Sequence, residues 1–147
     1  MGRVTAFIGL GSNLGKCTEN ILRAADMLAD TSGIVTLGLS TLIETKPVGP
    51  VQDQPDFTNA VAKIETTLSP LDLLDRLLSI EVRLGRVRNE RWGPRVIDLD
   101  LLIYGDRQVN HARLKVPHPE IPNRPFVRAG LAELGFNQDL EVAQTVP

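Results

Sequence analysis

Apolar positions along the chain follow two rhythms, and the changes between them lay out the secondary structure before any chemistry is considered. Val4 to Leu10 is rich in β-branched and aromatic residues and reads as a strand, with Gly9 and Gly11 ending it. Gly11-Ser12-Asn13-Leu14-Gly15 follows as a tight turn in which Ser12 and Asn13 act as caps. From Thr18 to Asp30 the apolar residues Ile21, Leu22, Ala25, Leu28 and Ala29 recur at helical spacing, and Ser32-Gly33 stops the helix. Ile34 to Glu44 alternates weakly and reads as one strand. Residues 46–56 hold Pro47, Pro50 and Pro55 and are a loop, because each proline removes a donor and restricts its predecessor. Phe57 to Thr66 is a further strand, with Ala60, Ala62 and Ile64 offset from Asn59, Val61 and Lys63. Ser69-Pro70 opens a helix with Ser as N-cap, and Leu71, Leu74, Leu77, Leu78, Val82 and Leu84 carry it to Gly85. An arginine-rich loop leads to a strand from Val96 to Tyr104. Gly105-Asp106 turns the chain toward a short partner strand at Arg107 to Asn110. A proline-rich loop spans Pro117 to Pro125, and Phe126 to Leu134 forms the last helix.

The order strand, helix, strand, strand, helix, strand, with an extension, predicts a single α+β domain over residues 1–147. Its expected core is ferredoxin-like, an antiparallel sheet flanked by helices in three α/β/α layers. Composition narrows the class without naming a function. The 147 residues are 42 % hydrophobic and 23 % charged, which supports a buried core and excludes a disordered chain. A net charge of −2 excludes a polycation built to hold nucleic acid. The one cysteine, Cys17, permits no intrachain disulfide, and no apolar run approaches a membrane span, so a cytoplasmic location is expected.

Chemistry concentrates around Asp98-Leu99-Asp100. On a strand, residues two apart share a face and lie roughly 6.5 Å apart along it. Ile97, Leu99, Leu101 and Ile103 are thus expected to form one apolar face, with Asp98 and Asp100 together on the other. Two carboxylates so placed repel each other unless a cation lies between them, and Mg²⁺ takes oxygen ligands of this kind, completing its shell with water and phosphate. A bare Asp-x-Asp more often marks a solvated sheet face. The preceding segment changes that balance. Arg86, Arg88, Arg91 and Arg95 fall within residues 85–95 beside one acid, Glu90, and guanidinium forks suit polyphosphate. Gly85, Gly93 and Pro94 bracket this loop as one able to close over a ligand, and it carries the single tryptophan, Trp92. Acids and arginines together are what a metal–polyphosphate site requires.

The glycine run from Gly9 to Lys16 fits neither phosphate-binding fingerprint. Leu14 stands where a dinucleotide motif needs glycine, and Leu10 and Cys17 break a P-loop. Neither His111 nor His118 has metal-ligand spacing to a second ligand. Two other classes compete with an enzyme: a nucleic-acid-binding domain, which the two acids beside the arginines oppose, and a regulatory module that has lost catalysis.

Several separate segments carry a resemblance. Gly9-x-Gly11-Ser12-Asn13, Pro47-Val48-Gly49, Gln54-Pro55-Asp56-Phe57-x-Asn59, Glu81 with Gly85-Arg86, Arg91-Trp92-Gly93-Pro94-Arg95, Asp98-Leu99-Asp100 and Pro117-His118-Pro119 together resemble the 6-hydroxymethyl-7,8-dihydropterin pyrophosphokinase family. The likeness runs from Phe7 to Leu134 in the family's order, and Arg91 to Asp100 is its most specific part. It implies two Mg²⁺, ATP as co-substrate, a hydroxymethyl-dihydropterin as acceptor, and a monomer acting on small molecules with no nucleic-acid or membrane partner. By the same resemblance Asp98 and Asp100 would hold both metals, and Arg86 and Arg95 would be catalytic through the transferring group. Arg88 and Arg91 would ride on the closing loop at the nucleotide, and Glu81, Arg113, Lys115, His118 and Arg124 would line its side. The pterin would lie against Phe126, with Asn59 on its polar edge and Thr45, Val48, Phe57 and Trp92 completing its pocket. The chain departs from some members in having Pro119, not an aromatic residue, after His118.

Overall fold

The computed structural model describes residues 2–47, 53–85 and 95–136. The segments of period two form the sheet: β1 (Val4–Ser12), β2 (Ile34–Leu39), β3 (Ile43–Thr45), β4 (Phe57–Thr66) and β5 (Asp98–Tyr104). Its order is β2-β4-β1-β5, every pair antiparallel, with β3 continuing beside β4 where β2 leaves off. This is the strand order of the ferredoxin-like core expected from the sequence. The helices α1 (Cys17–Ala29) and α2 (Pro70–Arg83) pack on one face and α3 (Pro125–Glu133) on the other, giving three layers.

Each face of the sheet has its own core, as alternation along the strands demands. Ala6, Ile8 and Leu10 of β1 join Ala60, Ala62 and Ile64 of β4 against Ile21, Ala24 and Leu28 of α1 and Leu73, Leu77 and Ile80 of α2. On the opposite face Phe7 and Val61 meet Val127 and Leu131 of α3, and Phe7 also takes an edge-on contact from Phe136 at 5.3 Å. The cap at Ser69 forms as the sequence indicates, its hydroxyl accepting from the Asp72 amide at 3.2 Å.

Five local expectations are corrected. Gly9 and Gly11 do not end the first strand, since both lie within β1, paired to Val61 and Asn59 on one side and to Asp100 and Asp98 on the other. Ser12 and Asn13 do not cap α1, whose N-cap is Lys16 with no side-chain bond; Asn20 instead donates back to Ser12 Oγ and to the Leu14 carbonyl. The strand expected over Ile34 to Glu44 is divided, because Ser40 takes both the carbonyl and the amide of Val61, the latter with its own hydroxyl, and displaces the regular ladder. Ile103 does not share a face with Ile97, Leu99 and Leu101. Phe7 pairs with Ile103 and Ile8 with Leu101, so Leu102 is an extra residue, and the bulge sends both Leu102 and Ile103 to the α3 side. The short strand near Asn110, β6 (Val109–Asn110), pairs with β7 (Lys115–Val116).

Candidate active site

Glycine at two positions of β1 opens the site. On the α3 face, Gly11 lies between Asn59 and Asp98, and Gly9 lies between Val61 and Asp100. With no side chain on the central strand, the neighbouring strands become the walls of a trough and the backbone its floor. The trough widens into a cleft roofed by the start of α3 and lined by Thr45, Phe57, Asn59, Arg95, Asp98, Asp100, Arg124 and Phe126 as well as the glycines. The sequence carries this signal, since a glycine inside a strand marks close backbone approach.

One end of the cleft is charged. Asp98 and Asp100 project from β5 onto the same face, as their spacing requires. Arg95 Nη1 lies 3.2 Å from Asp98 Oδ2, and Arg124 Nη1, at the N-cap of α3, lies 3.8 Å from Asp100 Oδ2. Asp100 is half-buried, and desolvation together with the neighbouring Asp98 charge raises its pKa from 3.8 to about 7; Arg124 opposes the rise and Glu81 adds to it. The other end is polar and aromatic. Asn59 Nδ2 donates to Thr45 Oγ1 at 2.7 Å across the β3–β4 ladder, beside Phe57 and Phe126.

The approaches to both ends meet at Asn13, which is 1 % exposed. Its Oδ1 accepts from the Arg95 amide at 2.8 Å, and its own amide donates to the Arg95 carbonyl at 3.0 Å. Its Nδ2 donates to Gln54 Oε1 at 2.8 Å and to the Pro55 carbonyl at 3.0 Å. One side chain therefore joins the end of β1 to the segments that deliver Phe57 and Asp98. Sequence reasoning did not find this tether, because its partners lie more than forty positions away.

Other expected site residues stand outside the cleft lining. Glu81 is buried in α2, and its Oε2 accepts from the Leu99 amide at 2.7 Å, between the two aspartates along the backbone. Arg113 donates to Asp75 of α2 at 2.6 Å, and Lys115 Nζ donates to Asn110 Oδ1. His118 is half-buried beside the edge of β5, its amide donating to the Leu102 carbonyl at 2.9 Å. Its Nδ1 accepts from the Glu120 amide at 3.1 Å, which leaves Nε2 to carry the proton of the neutral ring. Burial, then the Arg124 charge, lowers its pKa, and both favour that neutral form. Val48, Arg86, Arg88, Arg91 and Trp92 lie outside the described residues.

The donor set fits a hard divalent cation. It offers two carboxylates on one face, where burial and then the Asp98 charge raise the Asp100 pKa, and no sulfur or paired imidazole. Among the described residues no group of three or more His, Cys, Asp or Glu gathers into a closed metal cage. An open pair of this kind leaves positions for water and phosphate oxygens. Among the described residues no helix is long and apolar enough to cross a membrane.

Paired acids and guanidinium groups that share one cleft with Phe57 and Phe126 on a ferredoxin-like sheet offer the chemistry a nucleotide-dependent group transferase needs. Comparison with known proteins is specific. The profile of the 7,8-dihydro-6-hydroxymethylpterin-pyrophosphokinase (HPPK) family matches residues 7–135. A 2-amino-4-hydroxy-6-hydroxymethyldihydropteridine pyrophosphokinase of Haemophilus influenzae is 46 % identical over 143 residues, 97 % of this chain and 89 % of that protein. Its namesake in Pseudomonas aeruginosa is 45 % identical over 141 residues, 96 % of this chain and 86 % of that protein. Among solved structures, a Plasmodium falciparum HPPK-DHPS protein with pterin and p-hydrobenzoate shares the fold at a TM-score of 0.67 and 15 % identity. That match covers 90 % of this chain, which spans only 40 % of the Plasmodium chain. The chain belongs to the HPPK family.

Proposed function

We propose that the chain transfers a diphosphate from ATP to the hydroxymethyl group of 6-hydroxymethyl-7,8-dihydropterin, giving the pterin diphosphate and AMP, as a monomeric cytoplasmic enzyme of folate biosynthesis. The observation that carries this reading is the meeting of Thr45, Phe57, Asn59 and Phe126 with Arg95, Asp98, Asp100 and Arg124 in one cleft. A flat ring with amide-like edges fits between Phe57 and Phe126, bonded by Asn59 over the glycine floor of β1. Its hydroxymethyl arm then reaches toward the aspartates, where the triphosphate lies.

Asp98 and Asp100 would hold two Mg²⁺, which when bound neutralise phosphate charge and fix the chain for displacement. The protein's own residues do the rest. Arg95 and Arg124 stand beside the carboxylates and bond phosphate oxygens, stabilising charge that shifts toward the leaving α-phosphate as the pterin hydroxyl attacks the β-phosphorus in line. The walls hold acceptor and donor at attack distance, which removes the entropy of bringing them together. Arg86, Arg88, Arg91 and Trp92, on the segment between α2 and Arg95, complete the phosphate and pterin contacts in this reading, with Val48 at the pterin. His118, Arg113, Lys115 and Glu81 belong to the nucleotide side. α3 covers the sheet face that an RNA-binding domain of this fold would use for stacking bases, which opposes the nucleic-acid alternative.

The test is AMP release from ATP with 6-hydroxymethyl-7,8-dihydropterin, with and without Mg²⁺. AMP formed only when pterin and metal are both present is the expected result. ADP as product, or ATP turnover independent of pterin, would overturn the proposal.

A further inference from the structure

Glu133 closes α3 at a place where helix electrostatics disfavours it. The last turn of a helix carries the negative end of its dipole, and a carboxylate there is opposed by it. Both carboxylate oxygens instead meet one residue 92 positions away. The Thr41 amide donates to Oε1 at 3.1 Å and to Oε2 at 3.0 Å, and the Thr41 hydroxyl donates to Oε2 at 3.1 Å. Both residues are exposed, so water competes for these bonds, and their number and the ionised acceptor are what favour them.

Thr41 lies in the break between β2 and β3, next to Ser40, whose amide and hydroxyl grip both backbone groups of Val61. Gly130, nearly one turn before Glu133, rests on the same spot. A Cβ there would stand 2.6 Å from Val61 Cγ2 and 3.3 Å from Ser40 Oγ, so the helix already sits as low on β4 as backbone allows. Gly130 thus sets the height of α3 above the sheet, and Glu133 fixes its end to the strand break. The other end of this short rigid helix carries Phe126 and Val127 into the cleft wall, with Arg124 as its N-cap. Four residues beyond Thr41, Thr45 lines the opposite side and accepts from Asn59.

We propose that Glu133 is a positioning residue for the acceptor half of the cleft, its bond to Thr41 setting the span between Phe126 on α3 and the Thr45–Asn59 pair on the sheet. The assignment of that half to the pterin rests on the function proposed above. Glu133 touches no ligand; it acts through the placement of α3 against β3.

Two measurements on Glu133→Ala and Glu133→Gln test this. In ligand-free protein, amide hydrogen exchange across α3 accelerates in Glu133→Ala and less in Glu133→Gln, whose amide oxygen still accepts from Thr41. Titration with 6-hydroxymethyl-7,8-dihydropterin in the presence of Mg²⁺ and a non-hydrolysable ATP analogue shows pterin affinity weakened on the order of tenfold in Glu133→Ala and partly restored in Glu133→Gln. Nucleotide affinity, measured separately, falls by much less, because Arg124 at the start of α3 is one of several cations at the phosphates. A general loosening of the fold would weaken both ligands equally, and that result overturns the proposal, as does unchanged pterin affinity. Unchanged exchange in α3 overturns it whatever the protein binds. Failure of the wild-type chain to take the pterin refutes the proposed function instead, while the exchange comparison still decides the clamp.

Discussion

Replacing Asn13 with alanine removes a side chain that holds together both approaches to the cleft. Three hydrogen bonds go with it: from the Arg95 amide at 2.8 Å, to Gln54 Oε1 at 2.8 Å and to the Pro55 carbonyl at 3.0 Å. At about 0.5–1.5 kcal/mol net for each, the loss is roughly 1.5–4.5 kcal/mol. Gln54 and Arg95 are half-buried and Pro55 is exposed, so water reaches part of the gap and the lower half of that range is expected. Asn13→Asp separates the bonds from the packing, since it keeps the shape and the acceptor for Arg95 but turns both donations into contacts between acceptors. It should lose at least as much as the alanine variant. The assay is urea unfolding at equilibrium, with both variants compared at matched m-values. Because Phe57 and Asp98 follow the two tethered segments, turnover should fall along with stability. An unfolding free energy within about 0.5 kcal/mol of wild type for either variant would refute the reasoning, showing that the three bonds are no better than those the segments make with water.

Asp98→Ala and Asp100→Ala should each abolish Mg²⁺-dependent turnover while pterin affinity stays largely intact; wild-type turnover in either would remove the metal assignment. Raising the pKa of Asp100 from 3.8 to about 7 means that the folded state binds more protons than the unfolded state between those values. Metal-free protein therefore loses stability as pH rises across that window, and thermal melts should show Mg²⁺ raising the midpoint more at about pH 8 than at about pH 5. Gly130→Ala gains helix propensity of about 1 kcal/mol but forces a methyl to 2.6 Å from Val61 Cγ2, an overpacking cost of about 1–3 kcal/mol. Denaturant unfolding should show net destabilisation, and a smaller loss from Gly130→Ala when Val61 is already alanine. Thr36 carries a buried hydroxyl with no hydrogen-bond partner among the described residues, so Thr36→Val should stabilise the fold by about 1 kcal/mol, read from the same unfolding curves.

Local pattern sufficed wherever the physics is local. The cap at Ser69, the existence of α2, the span of β4 and the common face of Asp98 and Asp100 depend only on residues within a turn or a strand of one another, and each could be read directly; the face α2 buries, Leu73, Leu77 and Ile80, could not. The acids beside arginines pointed to phosphate and a hard cation before any fold was known, and the pterin came from the order of the motifs. Tertiary structure decided the rest because its causes lie across the sheet. Ile103 changes face through a bulge defined by its pairing with Phe7, and Ser40 breaks a strand by bonding Val61, which no alternation within residues 34–44 reveals. Gly9 and Gly11 become a cleft floor only when β4 and β5 flank them, and Asn13 becomes a tether only when Gln54, Pro55 and Arg95 are brought to it. A side chain's spacing along the chain sets which way it can face, but its partner is set by strand order, and strand order is a property of the whole folded chain.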